Sequence, residues 1–153
     1  MIINAKTIKI MVFCCIVLCL CSCKKLELIT GNKSALEQFF ADNVLNRDFV
    51  VDFASDNGIE KTVEYKGYVF VLTKGETYYA GVLTGVKNNL SYTGTWSTPK
   101  DFSQLVINLN SPGSPAEFIF LNRVWKFTKK IPPVLQLRPY SDIDSKILYM
   151  RRL

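Results

Sequence analysis

Leu90-Ser91-Tyr92-Thr93-Gly94-Thr95-Trp96 decides the fold. Leu90, Tyr92, Gly94 and Trp96 alternate with Ser91, Thr93 and Thr95, so an extended chain turns one set to a core and the hydroxyls to water. Leu105, Ile107 and Leu109 repeat the pattern downstream. Upstream lie Phe49-Val50-Val51-Asp52-Phe53, then the apolar run Tyr68 to Leu72, and Thr77 to Leu83. Val124 to Thr128, Val134 to Arg138 and Ile147 to Arg151 complete the series. Asp56-Asn57-Gly58, Gly75, the loop Ser111-Pro112-Gly113-Ser114-Pro115, Pro132-Pro133 and Ser141-Asp142 break it at turn-forming positions. The pattern predicts a mainly β domain of about eight short antiparallel strands, a barrel or a sandwich. The closed barrel is favoured because a ring leaves no unpaired edge.

One helix is expected before the first strand. Ser34-Ala35-Leu36-Glu37 fits a capping box, in which the Ser hydroxyl and the Glu carboxylate satisfy exposed backbone N–H groups. Leu36, Phe39, Phe40 and Val44 follow at helical spacing, giving an amphipathic helix from about 35 to 45 that packs its aromatic face on the domain.

Ahead of it the composition changes. All five cysteines, Cys14, Cys15, Cys19, Cys21 and Cys23, fall within ten residues, interleaved with Ile16, Val17, Leu18 and Leu20. That clustering suits neither a disulfide framework nor a zinc site, which needs ligands converging from separated pairs. Lys6 and Lys9 precede an apolar run from Ile10 to Leu20, the charge and length of a secretory signal. The run is too short for a membrane span of about 20 residues, and Lys24-Lys25 end it.

Leu20-Cys21-Ser22-Cys23 resembles the lipobox of bacterial lipoproteins: Leu, a short spacer, a small residue, then the Cys that is lipidated. The resemblance implies a signal peptide over residues 1–22, cleavage between Ser22 and Cys23, lipid including palmitate on Cys23, and a tether over residues 23–33. Several acyl chains on one residue would hold the chain firmly to a membrane. Lys24 and Lys25 provide neither the Asp of inner-membrane retention nor an acidic surface-export run, which implies the outer membrane facing the periplasm. Residues 35–153 resemble the small lipocalin-like lipoproteins of Gram-negative bacteria. The resemblance rests on the helix leading into the first strand, Asp56-Asn57-Gly58, Lys66-Gly67-Tyr68-Val69-Phe70, Gly94-Thr95-Trp96-Ser97, Leu121-Asn122-Arg123-Val124-Trp125 and the closing strand Lys146 to Arg151. Gly94-Thr95-Trp96 lies mid-chain, whereas ligand-carrying lipocalins place Gly-x-Trp at the first strand.

Chemistry is constrained by what is missing. There is no histidine, and the lipidated Cys23 would be the last cysteine left after processing. Asp142 and Asp144 sit in a loop after Pro139-Tyr140, and Asp52, Asp56, Glu60 and Glu64 lack the ligand ladder of a calcium loop. No Gly-rich phosphate loop opens a helix. The expectation is a non-enzymatic protein with no cofactor and no metal.

Charge is uneven. Residues 23–153 carry 17 basic and 13 acidic side chains, a formal +4. Arg123, Lys126, Lys129, Lys130, Arg138, Lys146, Arg151 and Arg152 crowd the last third against Asp142 and Asp144. A basic face beside an acyl anchor suits anionic headgroups or an acidic protein partner, and an exported chain is not expected to meet nucleic acid. Two functions follow. One is an interaction or structural module of the cell envelope, working through its surface. The alternative is a binding protein whose barrel, lined by Tyr78, Tyr79, Tyr92 or Trp96, holds a small apolar or amphipathic ligand. An eight-stranded barrel can be packed solid or hollow. The anchor is testable first: Cys23→Ser should abolish incorporation of labelled palmitate, and persistent labelling would move the anchor to Cys21.

Overall fold

The capping box at Ser34 forms in full. Its hydroxyl accepts the Glu37 amide at 3.2 Å while the Glu37 carboxylate accepts the Ser34 amide at 2.7 Å. These bonds start helix α1 (Ala35–Asn43), a little shorter than the spacing predicts. Its apolar face is also narrower: Phe40 and Val44 are buried, Phe39 is half-buried and Leu36 is exposed. The computed structural model describes residues 33–141 and 145–153, so the leader, Cys23 and the loop residues Asp142 and Asp144 lie outside the described residues.

The chain then runs through β1 (Asp48–Asp56), β2 (Ile59–Glu60), a 3-10 turn (Thr62–Tyr65), β3 (Val69–Lys74), β4 (Ala80–Lys87), β5 (Leu90–Ser97) and β6 (Gln104–Asn108). Helix α2 (Phe118–Leu121), β7 (Val124–Ile131), β8 (Val134–Pro139) and β9 (Lys146–Arg152) complete it. The nine strands form one antiparallel sheet in sequence order, and β1 also pairs with β9, closing the sheet into a ring. The two-residue β2 lies outside the ring, paired only with β1, so eight strands make the barrel wall, as the alternation predicts.

Local chemistry sets the turns. Asn57 and Gly58 both have positive φ (49° and 80°), the backbone of a tight hairpin turn. Asn88 and Asn89 do the same (52° and 63°) between β4 and β5. That second turn carries no glycine, which is why it is less conspicuous in the sequence. Thr77 to Tyr79, expected in a strand, form a loop instead, where the Thr77 hydroxyl takes the Tyr79 amide at 3.2 Å. A hydroxyl bonding the amide two residues on competes with the sheet ladder.

Because neighbouring strands alternate in direction, the connections gather at two ends. The entry end holds α1, the β3–β4 and β5–β6 connections and the β7–β8 hairpin; the far end holds the others, including α2. Each end is stopped by aromatics. At the entry end the Phe40 ring lies 4.7 Å from Phe102 and 5.6 Å from Trp96. At the far end Phe118 of α2 lies 5.1 Å from Tyr68, 5.5 Å from Tyr92 and 5.9 Å from Phe70. Leu72, Leu83, Leu105, Leu137 and Leu148 fill the space between. Gly94 lets the wall bend inward, since a Cβ there would sit 2.0 Å from the Asn108 carbonyl oxygen.

If α1 is a plug held by one side chain, its two large aliphatic and aromatic positions should differ sharply. Phe40→Ala should cost about 3–5 kcal/mol in chemical denaturation. Leu36→Ala should cost less than about 0.5 kcal/mol. Equal losses would show that α1 packs otherwise.

Candidate functional site

The four residues considered for a ligand cavity are not brought together. Trp96 is 1% exposed, and its Nε1 donates to the Thr73 carbonyl at 2.9 Å, so both its faces and its polar edge are taken. Tyr79 packs tilted against Phe102 at 5.5 Å at the entry end, and its hydroxyl donates to the Glu37 carboxylate. That bond is the chief reason the Glu37 carboxyl is held below its ordinary value and the Tyr79 phenol above it. Tyr78 lies nearby with Lys33 Nζ 4.9 Å and Lys74 Nζ 4.4 Å from its ring. Tyr92 belongs to the opposite end, edge-on to Phe118. Each of these rings is engaged by the fold itself.

Other polar groups inside the barrel are likewise satisfied. Trp125 Nε1 donates to the Leu121 carbonyl at 2.9 Å. Tyr65 donates to the Glu117 carbonyl at 2.6 Å, and Tyr68 to the Glu117 carboxylate at 2.9 Å. Burial raises both phenols well above their ordinary value, and for Tyr68 the bond to Glu117 adds to it. Among the described residues no buried side-chain nitrogen or oxygen sealed from solvent lacks a partner. Thr98 and Ser55 are the buried polar residues, at 7% and 5% exposure. The Thr98 hydroxyl bonds the Gln104 carbonyl at 2.6 Å; the Ser55 hydroxyl makes no such bond and opens onto the outer wall.

Of the four acidic residues near the first hairpin, three are dispersed into ion pairs and Glu60 is exposed. Asp52 meets Arg151 Nε at 2.8 Å, Asp56 meets Lys146 Nζ at 2.9 Å and Glu64 meets Lys61 Nζ at 2.9 Å. Among the described residues no group of three potential ligands is arranged to hold a metal ion.

The basic last third divides the same way. Besides Lys146 and Arg151, Arg152 reaches Asn43, Arg123 Nε donates to the Phe120 carbonyl at 2.8 Å, and Lys130 donates to the Phe102 carbonyl. A β-bulge in β7 decides the position of Lys130. The register shifts between Phe127 and Lys129, so Lys129 pairs with Gln136 and Lys130 with the buried Leu135. Lys130 therefore turns to the core side, 5.0 Å from the Phe127 ring, where burial lowers its affinity for a proton. The same bulge sends Lys129 outward beside Lys126. Lys126 stands directly opposite Arg138 across β7 and β8, all three are exposed, and none has a hydrogen-bond or ion-pair partner among the described residues.

This juxtaposition of like charges is a feature of the wall that the described residues leave uncompensated. Directly opposed like charges on a strand pair destabilise it. Sequence reasoning identified the basic third but not which members stay free, because that depends on the bulge and on the acidic partners that β1 brings to β9.

The two tyrosines at the far end set an alkaline limit. Unfolded phenols ionise near pH 10 while the buried ones resist it, so their contribution to stability is present below about pH 10 and is lost as pH rises beyond it. Tyr68→Phe should flatten that alkaline loss in denaturation curves taken between pH 8 and 11, an unchanged slope counting against the assignment. Comparison of the chain with protein-family models, with curated proteins and with solved structures finds no match to any of them.

Proposed function

We propose that this chain is a lipid-anchored, non-catalytic protein of the cell envelope whose barrel works through its outer wall. One observation carries the reading: Lys126, Lys129 and Arg138 stand together on β7 and β8 without internal partners. The outer faces of β4 and β5 carry the uncharged Val82, Thr84, Thr93 and Thr95 at the corresponding positions. The aromatics that a barrel ligand would need are spent on one another, which supports the outer wall over the interior. Anchoring through Cys23 would keep the wall within nanometres of anionic headgroups, where each Lys or Arg near the surface contributes about 1 kcal/mol.

Residues 24–153, prepared without anchor or leader, should bind vesicles of phosphatidylcholine containing phosphatidylglycerol and ignore neutral ones. Lys126→Gln with Lys129→Gln should weaken that binding by about 30-fold, and salt should weaken the wild type as well. Equal binding to neutral vesicles, or no effect of the double variant, would remove the wall from the function. In the intact protein, anchoring would follow the outer-membrane route implied by the lipobox resemblance.

A further inference from the structure

The Ser55 hydroxyl opens into a shallow pocket of about 280 Å³ on the outer wall near the far end, lined by Arg138, Pro139, Ser141, Ser145, Ile147 and Gly58 as well as Ser55. We propose that this pocket is a binding site for a phosphoryl oxyanion. A serine 5% exposed would ordinarily turn its hydroxyl to a carbonyl, as Thr98 does. The Ser55 hydroxyl has no partner among the described residues, and its backbone is locked between β9, through Ile147, and β2, through Glu60.

The surrounding chemistry is donor-rich. Arg138 contributes a guanidinium with no carboxylate on it among the described residues, and Ser141 and Ser145 add hydroxyls from the two sides of the β8–β9 loop. Planar guanidinium with several hydroxyls is a set that grips an oxyanion through charge-assisted bonds. Among the described residues the neighbouring acids do not fill the place: Asp56 is paired with Lys146, and the exposed Glu60 is not part of the lining; Asp142 and Asp144 lie outside the described residues. Gly58, with φ of 80°, leaves the approach open, since a Cβ there would meet no atom within 4 Å. The volume is at the low end for small-molecule sites and suits one phosphate with a small substituent.

Two sources share this chemistry, a soluble phosphomonoester and the phosphodiester headgroup of a membrane lipid. The site goes beyond the membrane-facing wall and stands without it, because a soluble phosphate tests it in the absence of any bilayer. The full-length chain in nonionic detergent should bind inorganic phosphate and glycerol 3-phosphate saturably by titration calorimetry. Arg138→Gln should weaken this by about tenfold or more, and Ser55→Ala by about threefold or more, without lowering thermal stability because that hydroxyl bonds nothing in the fold. Lys126→Gln with Lys129→Gln should leave it within about twofold, which separates the pocket from the wall. Dihexanoyl phosphatidylglycerol competing with phosphate would assign a lipid headgroup as the source, and failure to compete a soluble phosphomonoester. Absence of saturable binding by either phosphate, equal affinity for acetate, or an Arg138→Gln protein binding like wild type would overturn the proposal.

Discussion

The pairing of β1 with β9 is the constraint on which the rest depends. β1 meets β3 only at Asp48 and Phe49, whereas it follows β9 from Phe49 to Asp56. Without that second ladder the sheet would have two long open edges, and β1 would be held by little more than a corner. The register shifts between Val51 and Phe53, a bulge that turns Asp52 out toward Arg151 while Ala54 returns to the core. A ring closed in this way has an inside of fixed width. Eight strands enclose a width that their own side chains can fill, and large aromatics pack at both ends of it.

The buried side chains pack against one another, and the proposed function accordingly rests on the surface. That packing also explains the pattern of polar satisfaction. Aromatic residues with a polar handle can be buried only where a carbonyl or carboxylate receives it, so Trp96 finds Thr73, Trp125 finds Leu121, and Tyr65 and Tyr68 share Glu117. Against that background the Ser55 hydroxyl, in a residue 5% exposed and without a hydrogen-bond partner among the described residues, is informative. At Ser55 the fold keeps a small polar side chain in a position that an alanine would fill as well.

Much of this was legible in the sequence, for a physical reason. Alternation is enforced wherever one face is wet and the other packed, so the eight wall strands announced themselves, as did the capping box at Ser34. What was not legible depends on contacts distant in the chain. Phe118-Ile119-Phe120-Leu121 reads as a short apolar run, yet it forms a helical turn stopping the far end, because Tyr65, Tyr68 and Tyr92 are brought there from elsewhere. Tyr78, Tyr79, Tyr92 and Trp96 looked like one lining because they are near in sequence; the strand length between Tyr92 and Trp96 puts them at opposite ends.

The basic third shows how closure converts a composition into a surface. Three successive strands of a meander are neighbours, so charge crowded into residues 121–153 is crowded in space as well. Closure then sets β9 against β1, whose Asp52 and Asp56 engage Arg151 and Lys146. The bulge in β7 withdraws Lys130 to the core side, and α1 takes Arg152. The uncompensated remainder falls on β7 and β8, with Lys126 facing Arg138. A strand pair that keeps opposed like charges gives up stability that a neutral residue at either position would restore. Arg138 also borders the pocket that receives the unbonded Ser55 hydroxyl. Among the described residues two local departures from a self-satisfied fold thus meet at one side chain, and both proposed sites take the same complement, negative charge supplied from outside.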